Sequence, residues 1–172
     1  MKSAGSILKS VLNTIGTICE YFCSIIALIM VLLVTIQVIL RSLNMPLFGI
    51  EELLNFPTIW IYFIGGVCAA YTNSHIECGI IKAVSKNPRK VIVAGLISDV
   101  IASCLSVYVL RWGIMYSVYC LQINKTSPVL GIPMPLGELI IFIGLFLMTV
   151  YTVTRTMENL LTFKARWRGE EK

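Results

Sequence analysis

The chain has 172 residues, of which 57% are hydrophobic and only 13% charged, with a net charge of +5. Soluble domains carry about 25% charged residues, so the deficit points to long apolar runs and a membrane protein. The positive balance does not indicate nucleic acid, because the lysines and arginines fall in the gaps between apolar runs and form no single patch.

The first apolar run, Tyr21 to Leu40, carries no charge and follows a segment with Lys2 and Lys9. A signal peptide has a shorter apolar core and a small-residue cleavage site, so this run is predicted to be an uncleaved first transmembrane helix over 18–40. Arg41 closes it, and a turn marked by Pro46 and Gly49 leads to the paired carboxylates Glu51 and Glu52. Leu53 to Ser74 again lacks charge, and at ~1.5 Å per residue it crosses a hydrocarbon core of about 30 Å. This is the second crossing, 53–74. Proline is tolerated in a first helical turn, so Pro57 predicts a helix start near itself and a short separate turn over Glu51–Phe56. Gly65/Ala69 and Gly66/Ala70 are small-xxx-small pairs that let a neighbouring helix come close.

Ser74-His-Ile-Glu77 reads as a capping box. Ile76, Ile80, Ile81 and Val84 share one helical face, with His75, Lys82 and Lys86 opposite. Too few residues remain before Asn87-Pro88 to span, so 75–86 is predicted to be an amphipathic helix in the headgroup region, in contact with membrane lipids. The third crossing is predicted over 91–110. Ala94, Ser98, Ala102 and Ser106 give it a small-residue stripe, and Arg111, Trp112, Tyr116 and Tyr119 mark its end as an interface belt. Pro128, Pro133 and Pro135 forbid a continuous helix into the fourth crossing, 136–154, which is followed by a basic tail, 155–172. The fold class is an all-α membrane protein: one domain of four transmembrane helices.

Charge sets the orientation. Lys2 and Lys9, then Lys82, Lys86, Arg89 and Lys90, then Arg155, Lys164, Arg166, Arg168 and Lys172 put eleven basic residues on one side. Only Arg41, Arg111 and Lys125, three, lie on the other. The positive-inside rule then places both termini in the cytoplasm.

Few residues offer chemistry. Glu51 and Glu52 point about 100° apart on a helix, so they form no acid/base pair. They suit a helix N-terminus and headgroup contact, or a partner, and Glu138 reads likewise. Asp99 lies roughly 12 Å into the third run. An intramembrane carboxylate is a functional candidate by default: held by serines across a helix interface, paired with a partner's cation, or coupled to an ion. His75, the sole histidine, reads as a helix-end interface residue. Cys19, Cys23, Cys68 and Cys104 sit in or beside apolar runs, and no spacing suggests a disulfide framework or a metal site. No catalytic constellation and no cofactor motif is present.

Several of these residues together resemble the small (Q-type, DctQ-like) permease subunit of TRAP transporters, the tripartite ATP-independent periplasmic carriers. The resemblance rests on Arg41, Asn44, Pro46, Glu51-Glu52-Leu53, Trp60, Gly65-Gly66, His75-Ile76 and the Ser127-Pro-Val-Leu-Gly-Ile-Pro-Met134 stretch. The chain departs from the family pattern at Cys78-Gly79 and at Pro57. The resemblance implies a non-catalytic scaffold subunit in the bacterial inner membrane. Its implied partners are a large elevator-type permease subunit, which holds the solute and sodium sites, and a periplasmic solute-binding protein that delivers an organic-acid anion. Arg41, Asn44, Glu51, Glu52, Trp60, Gly65, Gly66, His75 and Asp99 are the candidate partner-interface or structural residues. Two other readings stand beside it. One is a stand-alone, homo-oligomeric carrier or channel using Asp99, against which no inverted repeat or broken-helix pair is present. The other is a four-helix thiol redox enzyme, against which only Cys120 lies near the outer face.

Overall fold

The computed structural model of the chain describes residues 2–45, 49–72 and 88–170. These form four helices and, among the described residues, no strand: α1 (Lys2–Ser42), α2 (Ile50–Thr72), α3 (Pro88–Ile123) and α4 (Pro135–Glu170). All four are long and apolar enough to cross a membrane. The predicted interfacial helix at 75–86, with His75, lies outside the described residues.

Helices suit lipid because each satisfies its own backbone hydrogen bonds where no water is available. The polar side chains inside them follow the same rule. Thr35 donates to Val31 O at 2.7 Å, Thr58 to Leu54 O at 2.7 Å, and Thr152 to Met148 O at 2.9 Å. A hydroxyl bonded to the carbonyl one turn back leaves no orphan donor.

The helices pack as a row, α1 on α2, α2 on α4, and α4 on α3. α1 and α2 run antiparallel: Phe22 stacks on Trp60 with ring centroids 5.8 Å apart, and the Thr58 hydroxyl approaches Met30 Sδ at 3.8 Å. α2 and α4 run parallel in tight register. A Cβ added at Gly144 would lie 2.7 Å from Phe63 Cβ and 3.3 Å from the Phe63 carbonyl oxygen. One added at Gly66 would meet Met148 Cε at 2.8 Å, and one at Gly137 would run into the Phe56 ring. Tyr151, Val67 and Leu12 form the buried core, and the Tyr151 hydroxyl donates to Leu12 O at 2.6 Å. That bond ties α4 to α1 across α2. Gly65 and Gly66 therefore serve different neighbours: Gly65 faces Cys23 on α1, Gly66 faces α4.

The expected helix boundaries change: α1 begins at Lys2, and α4 runs on through the expected basic tail to Glu170. α2 is continuous from Ile50 through Pro57 to Thr72, with no separate turn before the proline. Pro57 removes one ladder bond, to Leu53, and the turns on either side keep theirs. α3 does not end near Leu110 but continues to Ile123. The small-residue stripe Ala94/Ser98/Ala102/Ser106 is not the face that α3 turns to α4, since Ser98 and Ala102 are exposed. The seam against α4 runs instead through Asp99, Ser103, Ser106, Leu110, Gly113, Ser117 and Cys120. Gly113 meets Leu145, Ser106 O accepts from Thr149 at 3.3 Å, and the Ser103 and Thr156 hydroxyls lie 2.7 Å apart. Spacings alternating between four and three are those of an antiparallel left-handed pair.

The α2–α4 contact has backbone on one side, so it cannot yield. Gly144→Leu is expected to destabilise the protein by about 2 kcal/mol or more, as overpacking against rigid atoms does. Gly95→Leu, where nothing lies within 4 Å, is expected to leave the melting temperature in detergent unchanged.

Candidate functional site

Two polar constructions stand out, one at each end of the row. At the end carrying the α1–α2 and α3–α4 connections, α1 closes in a Schellman motif. Asn44 adopts φ 57°, its N–H donates to Arg41 O at 3.2 Å, and the Met45 N–H reaches Leu40 O at 3.0 Å. Asparagine is among the few non-glycine residues that tolerate this conformation, which accounts for Asn44. Arg41, in that last turn, is exposed and forms no ion pair with Glu51 or Glu52.

Glu52 turns the other way, into the α3–α4 loop. Its carboxylate accepts from the Ser127 hydroxyl, from the Val129 N–H at 3.2 Å to both oxygens, and from the Leu130 N–H at 3.1 Å. The loop is shaped for this. Gly131 N–H returns to Ser127 O at 3.1 Å, Ser127 N–H bonds Ile132 O at 2.9 Å, and Thr126 bridges Pro133. The turn aims two amide N–H groups and one hydroxyl at a single point, an anion-binding concavity of the kind backbone nests make. Gly49 completes it, with φ 87° and Val129 Cγ1 only 3.0 Å from where a Cβ would stand. Glu51 makes none of these contacts; with Glu52 it lines an open cleft of about 380 Å³ shared with Leu54, Asn55, Thr58 and Met134.

At the other end Asp99 is held across the α3–α4 seam. The Asn159 amide donates to it at 2.7 Å and the Arg155 guanidinium stands 3.7 Å away. The Thr156 hydroxyl donates to the Asp99 backbone carbonyl at 3.1 Å. Across this interface the Asp99 carboxylate meets Asn159 and Arg155, and no serine side chain among the described residues.

Comparison with known proteins decides the family. The family model "Tripartite ATP-independent periplasmic transporters, DctQ component" matches residues 30–162. The chain belongs to this family. A Haemophilus influenzae protein that carries the name of a TRAP transporter small permease is 25% identical over 168 residues, 96% of this chain and 99% of the relative. The chain is thus a membrane subunit of a TRAP transporter, a transporter class and not an enzyme class.

The matched span contains both constructions, and the DctQ-type residues separate into roles. Asn44 shapes the end of α1, Glu52 anchors the α3–α4 loop, Trp60 stacks on Phe22, and Gly65 and Gly66 admit α1 and α4. Two motifs read separately in the sequence, Glu51-Glu52-Leu53 and Ser127–Met134, are two halves of one contact. Ser127, Asn159 and Arg155 went unassigned as partners, although the i, i+4 spacing of Arg155 and Asn159 puts both on one helical face. Glu20 also escaped notice; it is half-buried on α1.

Removing the Glu52 carboxylate strands two amides and a hydroxyl at once. Glu52→Ala is expected to lower stability by about 2 to 3 kcal/mol, with amide exchange at Val129 and Leu130 accelerating. Asp99→Asn, which keeps a hydrogen-bonding side chain opposite Asn159, is expected to melt closer to the parent than Asp99→Leu. Equal melting temperatures for the two would show that the Asp99 contacts contribute nothing.

Proposed function

We propose that this chain is the small scaffold subunit of its TRAP transporter, seated in the bacterial inner membrane with both termini cytoplasmic. It pairs with a large elevator-type permease that performs ion-driven uptake of an organic-acid anion delivered by a periplasmic binding protein. The observation that carries this reading is the engagement of Asp99. The carboxylate on which a stand-alone carrier would depend is already held by Arg155 and Asn159. A coupling site must bind and release its ion, whereas this group is cross-linked into a helix seam.

Other features support the same reading. α1 and α3 expose most of their large apolar side chains, as helices meeting lipid or another membrane subunit do. With Arg111 inside α3 and counted on neither side, the eleven-to-two distribution of basic residues supports a cytoplasmic location for the termini and a periplasmic one for the Glu52-anchored loop, where a binding protein arrives. Fusing a periplasm-active reporter after Lys172 should give no activity, and fusing it near Lys125 should give a strong signal. The reverse pattern would overturn the orientation. Vesicles holding this chain alone are expected to accumulate no organic acid under a sodium gradient. Vesicles that also hold the large subunit, supplied with loaded binding protein, are expected to accumulate it. Sodium-driven uptake by the chain alone would restore the stand-alone carrier.

A further inference from the structure

Arg111 carries a consequence of the α3–α4 register. It lies between Ser106, which meets Thr149, and Gly113, which meets Leu145. The facing stretch of α4 is bounded by Glu138 and Arg155, so Arg111 stands about 10 to 15 Å from either end at ~1.5 Å per residue. The α2–α4 contacts put Gly66, inside a charge-free stretch of α2, opposite Met148 at the same level. Arg111 is thus not at a membrane surface but close to mid-depth. It is exposed, and no described residue gives it a hydrogen bond or an ion pair. Snorkelling covers only part of that distance, and an unpaired arginine at the bilayer centre is costly.

The surface around Arg111 is ordered. Val100, Cys104, Val107, Arg111, Ile114 and Val118 recur at alternating four- and three-residue steps, and all six are exposed. This is a second seam, about 100° around α3 from the one that packs on α4. Its side chains are compact and mostly β-branched, suited to knobs-into-holes packing. The remaining face of α3 carries the bulky Leu105, Tyr108, Trp112 and Tyr119, which suit lipid.

We propose that this second seam is where α3 docks a membrane helix of the large transport subunit, and that a carboxylate on that helix pairs with Arg111. The proposal rests on the pairing put forward under Proposed function. Charge complementarity selects the occupant: a lone cation in hydrocarbon calls for an anion, and lipid tails offer none. Within one chain Glu20 cannot serve, because it sits on α1 at the opposite edge of the row.

The test is co-purification of the full-length chain with its large subunit, together with photo-crosslinking. Recovery of the large subunit is expected to fall about tenfold or more for Arg111→Leu and further for Arg111→Glu, with Arg111→Lys retaining most of it. Purified alone, Arg111→Leu is expected to melt no lower than the parent, which separates loss of a partner from loss of fold. A photoreactive residue replacing Val107 or Ile114 should label the large subunit, while one replacing Leu105 should not. If the parent chain recovers the large subunit and Arg111→Leu recovers it equally, the pairing with Arg111 is overturned. Labelling from Leu105 but not from Val107 or Ile114 overturns the seam. Labelling of a second copy of this chain would make the surface a self-association site and overturn the proposed occupant. If the parent recovers no large subunit at all, the scaffold reading itself fails, and this inference with it.

Discussion

Hydrocarbon supplies no hydrogen-bond partners, and the structure is organised around that constraint. An unsatisfied polar group in lipid costs several kcal/mol, so each must be answered within the protein or by a neighbour. Backbone groups are answered within four helices, save the bond that Pro57 removes. Most of the bonded serine and threonine hydroxyls are answered one turn back on their own helix, and Tyr151 is answered by α1. Asp99 is answered by Asn159 and Arg155 across a helix boundary, and Glu52 by the loop that returns from α3 to α4. Among the described residues the Trp60 indole N–H is buried without a partner, and Arg111 is an exposed charge on α3 with none, which makes Arg111 informative about what lies outside the chain.

The two main contacts of α4 differ in kind. Against α2 it packs glycine to backbone, where close approach supplies dispersion energy that lipid tails cannot match. Against α3 it packs through serines, threonines and the Asp99 cluster, where hydrogen bonds fix register more than they add strength. Interhelical hydrogen bonds in membranes average only about 0.6 kcal/mol, so a chain of them selects one alignment of α3 without dominating stability. The outcome is a rigid central pair, α2 and α4, with α1 and α3 mounted on either side.

Much of this was legible in the sequence. Hydropathy alone gave four crossings, because a run of about 20 apolar residues has few other uses. Asn44, Gly65 and Gly66 were singled out, and the structure supplies a physical reason for each. What could not be read is what depends on distant segments meeting. Glu52 and Ser127 are 75 residues apart, and no local pattern links a carboxylate to a loop that distant. The small-residue stripe does not mark the face that α3 turns to α4, for a geometric reason. Residues four apart advance 40° beyond a full turn, so Ala94, Ser98, Ala102 and Ser106 wind round the helix, whereas alternating steps of four and three hold one seam. The end of the third run was set at Arg111 because a charge ordinarily closes a crossing; here the helix carries that charge inward.

The depth of α3 is therefore the quantity on which the account turns. A nitroxide placed singly at Ile101, Tyr108 and Met115 in the purified, reconstituted chain reports depth through its relative accessibility to oxygen and to a polar nickel complex. The account predicts that the labels at Tyr108 and Met115 read deepest and that the label at Ile101 reads closer to a membrane surface. Greatest depth at Ile101, with Met115 at the interface, would place Arg111 in the headgroups and contradict it.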